Sequence, residues 1–188
     1  MKLKIFILSF FQICFLQAQL SHKVKELAKP LDSISYAESS NIGIAGEKSI
    51  VYDYFKKLSA IATNDELYYF ARNGSNSLKF YSSTELFERK DNRFLEIYKY
   101  HSENPFTIRY QSGCVISRSN ITQLLKSHIS SKKYLFTIRN EFRAELKNNT
   151  LSTNMKKALK QIEKDCKKIS MKSIEFYLAE IEKIDSEK

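Results

Sequence analysis

Two cysteines, Cys114 and Cys166, are the residues of this 188-residue chain whose chemistry depends most on where the protein works. In an oxidising compartment they can form a disulfide, which would close a loop of about 53 residues and destabilise the unfolded chain by about 4 kcal/mol through lost entropy. A disulfide also requires Cα atoms within about 7 Å, which sequence spacing does not establish. The sequence therefore leaves two alternatives, a Cys114–Cys166 disulfide and two unpaired thiols.

Cys114 can instead act as a nucleophile if a histidine lies beside it, as in thiol–imidazole hydrolases. The candidate histidines are His101 and His128. No local motif surrounds the cysteine, so we assign no catalytic residue. Spacings typical of zinc ligands and glycine-rich phosphate loops are also absent from the sequence. We accordingly expect no metal and no cofactor.

The first 18 residues have the parts of a secretory signal peptide. Residues 1–4 include two lysines, residues 5–16 are mostly apolar, and Ala18 is small enough to mark a cleavage site. The apolar run is shorter than the roughly twenty residues that a membrane-spanning helix needs. We predict that residues 1–18 are removed and that the protein is exported to the periplasm or the extracellular space, with no membrane span.

Basic residues outnumber acidic ones by 31 to 21, which gives a formal charge of +10, or +8 without Lys2 and Lys4. A surplus of this size favours contact with anionic surfaces. The charge is dispersed, and neither a recognition-helix motif nor a zinc-finger spacing is present, so we expect no nucleic-acid partner. An anionic polymer of the cell envelope is a compatible partner, and a solvated lysine-rich surface explains the same charge.

Residues 49–101 predict four short helices, because apolar residues recur there at steps of three and four. A capping box, Thr63 with Glu66, marks the start of the second helix. Residues 73–76, Asn-Gly-Ser-Asn, turn the chain before the third. Helices this short are not stable alone, so we expect them to pack in pairs.

The second and third of these helices resemble a HEAT-type repeat, in which two antiparallel helices form a unit and units stack side by side. The positions that carry the likeness are Asn73, Leu78, Lys79, Ser82, Ser83 and Leu86. With the following Gln111-Ser112-Gly113-Cys114, residues 40–130 resemble small secreted bacterial proteins that contain HEAT-like helices. The resemblance implies stacked antiparallel helix pairs and implies no activity.

Residues 106–111 alternate apolar and polar side chains, which predicts a β-strand that ends at Gly113. The polar side of this strand carries Arg109 and Gln111, our candidate binding residues. The sequence identifies no partner strand, so an extended segment lying across the helices is the alternative. Residues 19–47 are rich in serine and have no sustained apolar period, so we predict an extended lead-in there.

Residues 151–188 predict a long C-terminal helix that packs on, or extends from, a helical-repeat-like domain of residues 48–150. Its heptad-like apolar spacing shifts phase at residues 170–173, where we expect a kink or a break. Only four glycines and two prolines favour helix over a turn-rich β-sandwich. The predicted fold class is mainly α: HEAT-like antiparallel helix pairs, a long C-terminal helix and at most one short strand pair.

The sequence shows no assembled catalytic set, and stacked helix pairs offer an extended surface for binding. We therefore predict an exported, non-enzymatic protein-interaction module whose partner the sequence does not identify. One alternative is a structural or inhibitory protein of the cell envelope. Another, from a different functional class, is an exported cysteine-dependent hydrolase that uses Cys114.

Overall fold

A computed structural model describes residues 20–167 and 169–187 of the chain. Its helices are α1 (His22–Asp32), α2 (Ile50–Ser59), α3 (Asn64–Asn73), α4 (Asn76–Glu88), α5 (Arg93–Glu103), α6 (Ile121–Lys147), α7 (Thr153–Asp165) and α8 (Met171–Ser186). Its strands are β1 (Tyr36–Ile42), β2 (Glu47–Lys48), β3 (Thr107–Gly113) and β4 (Val115–Asn120). The predicted mainly α class is confirmed. The signal peptide predicted for residues 1–18 lies outside the described residues.

The four helices predicted within residues 49–101 are present as α2 to α5. The capping box at the start of α3 is also present: the Thr63 hydroxyl accepts from the Glu66 N–H, and the Glu66 carboxylate accepts from the Thr63 N–H at 2.8 Å. The N-cap side chains of α2, α3 and α4 are Ser49, Thr63 and Ser75, and each accepts from a backbone N–H that a helix leaves without a partner. The N-cap of α5, Asn92, makes no such bond.

The turn between α3 and α4 depends on Gly74 for space. Any residue can adopt its backbone φ angle of −74°. A Cβ atom at this position would, however, lie 2.6 Å from the Cβ of Leu78 and 2.8 Å from the carbonyl oxygen of Phe70. The close approach of the two helices therefore excludes a side chain here.

The described part of the predicted extended lead-in, residues 20–47, contains α1, β1 and the first residue of β2, so the lead-in prediction is wrong there. Helix α1 buries Val24, Ala28 and Leu31, which lie three and four residues apart. Only these three side chains form its buried face, and Pro30 lies in its last turn. A three-residue apolar stripe beside a proline is too weak a pattern to identify a helix from sequence.

The sheet has four strands, which is more than the single strand pair predicted, in the order β2-β1-β3-β4. Strand β1 pairs parallel with β3, while β2 and β4 are antiparallel to their neighbours. The parallel pair joins segments that are separated by four helices, so no local pattern reveals it. Buried Ala37 and Ile108 show which face of the sheet packs on the helices.

Tyr81 on α4 fixes the sheet against the helices. Its hydroxyl donates to the carbonyl oxygen of Glu38 in β1 at 2.8 Å and accepts from the Glu38 N–H at 2.7 Å. The ring is 2% exposed and stacks on Phe55 of α2, with centroids 5.0 Å apart. Burial raises the pKa of Tyr81, so the hydroxyl stays protonated and able to donate.

The break predicted at residues 170–173 is present, since α7 ends at Asp165 and α8 begins at Met171. The described residues between 151 and 187 therefore hold two helices in place of the predicted long one, and α6, with 27 residues, is the longest helix in the described part of the chain. Helix α8 packs on α5 and α6 and buries Ile174, Tyr177 and Ile181. These residues belong to the same hydrophobic core as α1 and the sheet.

Replacing Tyr81 by Phe is expected to lower the free energy of unfolding by about 1–3 kcal/mol, because the backbone of Glu38 loses both hydrogen bonds. The matched control is Tyr52→Phe, since the Tyr52 ring lies 6.0 Å from the Tyr81 ring and no hydrogen bond of its hydroxyl is found in the described residues. Urea denaturation monitored by circular dichroism measures both variants. Equal stability of the two would contradict the role assigned to Tyr81.

Candidate functional site

The exposed face of the sheet carries two arginines in register. Arg109 of β3 and Arg118 of β4 are Cα partners, so their side chains project on the same side of the sheet. Strand β1 pairs with the other edge of β3, and its Tyr36 is the Cα partner of Arg109 there. The Arg109 guanidinium lies over the Tyr36 ring, 5.6 Å from its centroid. We call Tyr36, Arg109 and Arg118 the arginine face.

Neither arginine of this face is neutralised within the described part of the chain. The arginines that form ion pairs there are Arg89, Arg93 and Arg143. In the adjacent row of the sheet, the Glu38 carboxylate accepts from the Ser49 hydroxyl at 2.6 Å. Like charges directly opposite on neighbouring strands destabilise a sheet. The arginine face thus has a local electrostatic cost that an anionic ligand would remove.

The two binding residues predicted from the sequence have different surroundings. Arg109 is exposed, as a binding residue requires. Gln111 is half-buried, and its side-chain amide donates to the carbonyl oxygen of Gly113 at 3.4 Å. Arg118 was not identified because Gly113 was interpreted only as the end of a strand. A glycine in a two-residue loop also signals a hairpin, and that signal would have indicated β4.

A narrow cleft of about 170 Å³ lies between α2, α4 and α6. The carboxylate oxygen Oε1 of Glu88 on its wall lies 2.7 Å from the Lys132 ammonium and 3.3 Å from Nε2 of His128. His128 also lines a second cleft, of about 330 Å³, between the sheet, α4 and α6. A histidine held by a carboxylate can act as a base. Cys114, however, lines neither of the two clefts.

Glu88 is held in its charged form. Burial alone would raise the pKa of its carboxyl, but the hydrogen bond with His128 and the charge of Lys132 outweigh burial and lower the pKa to about 2. The second carboxylate oxygen, Oε2, is buried and has no hydrogen-bond partner among the described residues. Glu88 of α4 contacts both Lys132 and His128 of α6, so we assign the cluster to the joining of these two helices.

His101 does not pair with Cys114. Its ring is 1% exposed and packs between Tyr100 and Phe106. Burial, together with the charge of Lys79, lowers its pKa to about 4, and the Ala71 carbonyl only partly opposes this shift. Phe106 precedes β3 and Cys114 follows it, so the thiol and this imidazole lie at opposite ends of the strand.

Of the two alternatives that the sequence left open for Cys114 and Cys166, the structure has the unpaired one, with both residues as free thiols. Cys114 is exposed in the turn between β3 and β4, beyond the core. Cys166 is the C-cap of α7 and 8% exposed, and burial raises the pKa of its thiol. One thiol lies at the tip of the sheet and the other within the helical core, which is the physical reason that they do not meet.

Comparison of the chain with protein-family models, with curated proteins and with solved structures finds no match. Among the helices of residues 20–187, none combines the length and apolar character needed to cross a bilayer. The function is therefore inferred from the chain's own geometry. In the arginine face, two arginines that form no ion pair among the described residues lie directly opposite each other on neighbouring strands.

Acidification is expected to destabilise the protein through His101. Between pH 6.5 and about 4 the unfolded state binds a proton on this residue that the folded state does not, so the free energy of unfolding falls as the pH falls through this window. Above pH 6.5 the residue is neutral in both states. The loss from about pH 7 to about pH 5 is expected to be about 1–2 kcal/mol.

Urea denaturation at both pH values measures this loss. His101→Leu is expected to remove most of it, whereas the control His22→Gln, at a side chain 91% exposed, is expected to leave it unchanged. An identical pH dependence in wild type and His101→Leu would contradict the assignment.

The two thiols are expected to differ in reactivity. In the native protein a maleimide reagent is expected to label Cys114 rapidly and Cys166 slowly, because only the first is exposed. Both are expected to react after denaturation without a reductant, and mass spectrometry of tryptic peptides identifies the labelled residue. A Cys114–Cys166 disulfide in the oxidised protein would appear as two thiols that react only after reduction.

Proposed function

We propose that this protein is an exported, non-enzymatic binding module that holds an acidic segment of a partner protein on the outer face of its sheet. The observation that carries the proposal is the arginine face, where Arg109 and Arg118 lie directly opposite each other and no acid of residues 20–167 or 169–187 pairs with them. The signal-peptide pattern of residues 1–18 supports the export.

The chemistry of the arginine face favours a carboxylate ligand. A guanidinium is planar and binds carboxylates through two parallel hydrogen bonds, and it is less strongly hydrated than an ammonium. Contact with the Tyr36 ring restricts the Arg109 side chain, which lowers the entropy lost on binding. Two such groups on adjacent strands would engage one carboxylate together or two carboxylates of the same segment.

The support beneath this face is rigid. The opposite face of the sheet presents buried Ala37 and Ile108 to the helices, and Tyr81 attaches β1 to α4. The helix pairs serve in this proposal as a scaffold that fixes the sheet. A structural or inhibitory role in the envelope would use the same surface, and the partner alone would distinguish these roles.

Binding of poly-L-glutamate to the purified mature protein tests this proposal, with a double variant, Arg109→Gln with Arg118→Gln. We expect its affinity to be about tenfold lower than that of the wild type, because both uncompensated charges are removed. The matched control is Lys156→Gln with Lys157→Gln, which makes the same charge change on exposed residues of α7. The control is expected to lower the affinity by less than about twofold.

Isothermal titration calorimetry at low and at high salt measures these affinities. Equal losses in the two double variants would mean that the diffuse positive charge, and not the arginine face, binds the polymer. That result would overturn the proposed function.

A further inference from the structure

The outer edge of β4 has no partner strand among the described residues. Strand β4 pairs with β3 on one side only, and it is the last strand of the sheet on that side. Val115 and Ile116 on this strand are 68% and 53% exposed. An open strand edge offers backbone N–H and C=O groups to another extended chain.

The hydrogen-bond pattern identifies which backbone groups point outward. The Ile121 N–H donates to the Phe106 carbonyl at 3.0 Å, which makes these two residues a hydrogen-bonded pair in the antiparallel register of β3 and β4. Hydrogen-bonded pairs recur at every second residue, so Val115, Ser117 and Ser119 bond to β3. The backbone groups of the alternate residues, Ile116 and Arg118, therefore face away from β3.

The side chains beside these free groups define the complementary segment. Ile116 and Arg118 lie on the same face of β4 because they are two residues apart. On the same face, Arg109 of β3 is the Cα partner of Arg118. Protection against aggregation is by itself a sufficient explanation for a charged residue on an edge strand such as Arg118. Arg109 lies on an inner strand, so that explanation does not apply to it.

We propose that β4 binds an extended acidic segment of a partner protein by strand addition, with a carboxylate opposite Arg118 and an apolar side chain opposite Ile116. This inference rests on the proposed function and adds the binding mode and the sequence pattern of the ligand. A second copy of the chain would bring four arginines together on one face, where the Glu38 carboxylate already accepts from Ser49, so charge complementarity favours a different, acidic chain. A polysaccharide has no backbone amides for the free groups of β4.

The probe is a capped peptide of sequence Thr-Thr-Glu-Thr-Val-Val, in which antiparallel pairing places Glu opposite Arg118 and the first Val opposite Ile116. Two N-methylated forms provide a matched pair. Methylation of the Glu nitrogen removes a donor that faces β4, and methylation of the following Thr nitrogen removes a donor that faces away. We expect the first change to weaken binding by about tenfold and the second by less than about twofold.

The protein variants are Ile116→Pro and Ile116→Thr. Proline removes the outward N–H of residue 116 without removing a hydrogen bond to β3, and an edge strand tolerates it in this position. Threonine keeps the N–H and the β-branched shape. We expect Ile116→Pro to lose peptide binding and Ile116→Thr to keep most of it, with circular dichroism and thermal melting confirming that both variants fold.

The outcomes separate this inference from the function on which it rests. One outcome overturns strand addition alone. In it, Ile116→Pro binds the peptide as tightly as the wild type does, and both N-methylated peptides bind the wild type as tightly as the unmethylated peptide does. If Arg109→Gln with Arg118→Gln still weakens poly-L-glutamate binding, the proposed function holds. If the arginine variant has no effect on either probe, both proposals are overturned. Tighter binding of heparin than of the peptide, or a wild-type dimer that Ile116→Pro makes monomeric, would also overturn strand addition.

Discussion

The paired hydrogen bonds between the Tyr81 hydroxyl and the backbone of Glu38 are the contact on which the position of the arginine face depends. They join β1 to α4, two elements that do not follow each other in the chain, and so fix where the sheet lies on the helices. Because β1 pairs with β3 and β3 with β4, the position of β1 also fixes the later strands. The arginine face is consequently on the side of the sheet away from the helices, opposite buried Ala37 and Ile108.

Tyrosine and phenylalanine form the large core side chains of a protein that lacks tryptophan. The ring of Tyr177 on α8 packs edge-on against Phe87 and Phe94, with centroids 5.3 and 5.5 Å away. Tyr98 is buried as well, and its hydroxyl donates to the Asp185 carboxylate at 3.1 Å. A buried tyrosine supplies apolar area and a hydroxyl that can reach a polar partner. These contacts join the last helix to α4 and α5.

The polar clusters of this protein fall into two kinds. Glu88 and Lys132 form an ion pair between α4 and α6, with His128 beside the same carboxylate oxygen, so the charge of Glu88 has a partner within the fold. Arg109 and Arg118 are exposed, and no acid in the described part of the chain pairs with either. A structural ion pair contributes to holding elements together, whereas two like charges on neighbouring strands repel each other, and an anionic ligand would relieve that repulsion. This contrast is why we place the function on the sheet and not in the clefts.

The sequence by itself determined the local structure of the central helices. The Thr63–Glu66 capping box, the apolar spacing of α2 and the phase shift before α8 are signals carried by residues within one or two turns of each other, and all three were predicted correctly. It also identified Arg109 on the polar side of a strand. Helix α1 was missed because its buried face has only three residues.

Tertiary structure alone decided the sheet and therefore the site. The parallel pairing of β1 with β3 links residues separated by four helices, and its energy comes from backbone hydrogen bonds that any sequence can form. Likewise, the alignment of Arg109 with Arg118, the burial of His101 and the separation of Cys114 from Cys166 are set by how the elements pack. Residue spacing encodes which face of a helix or strand is apolar, but not which distant segment will cover it.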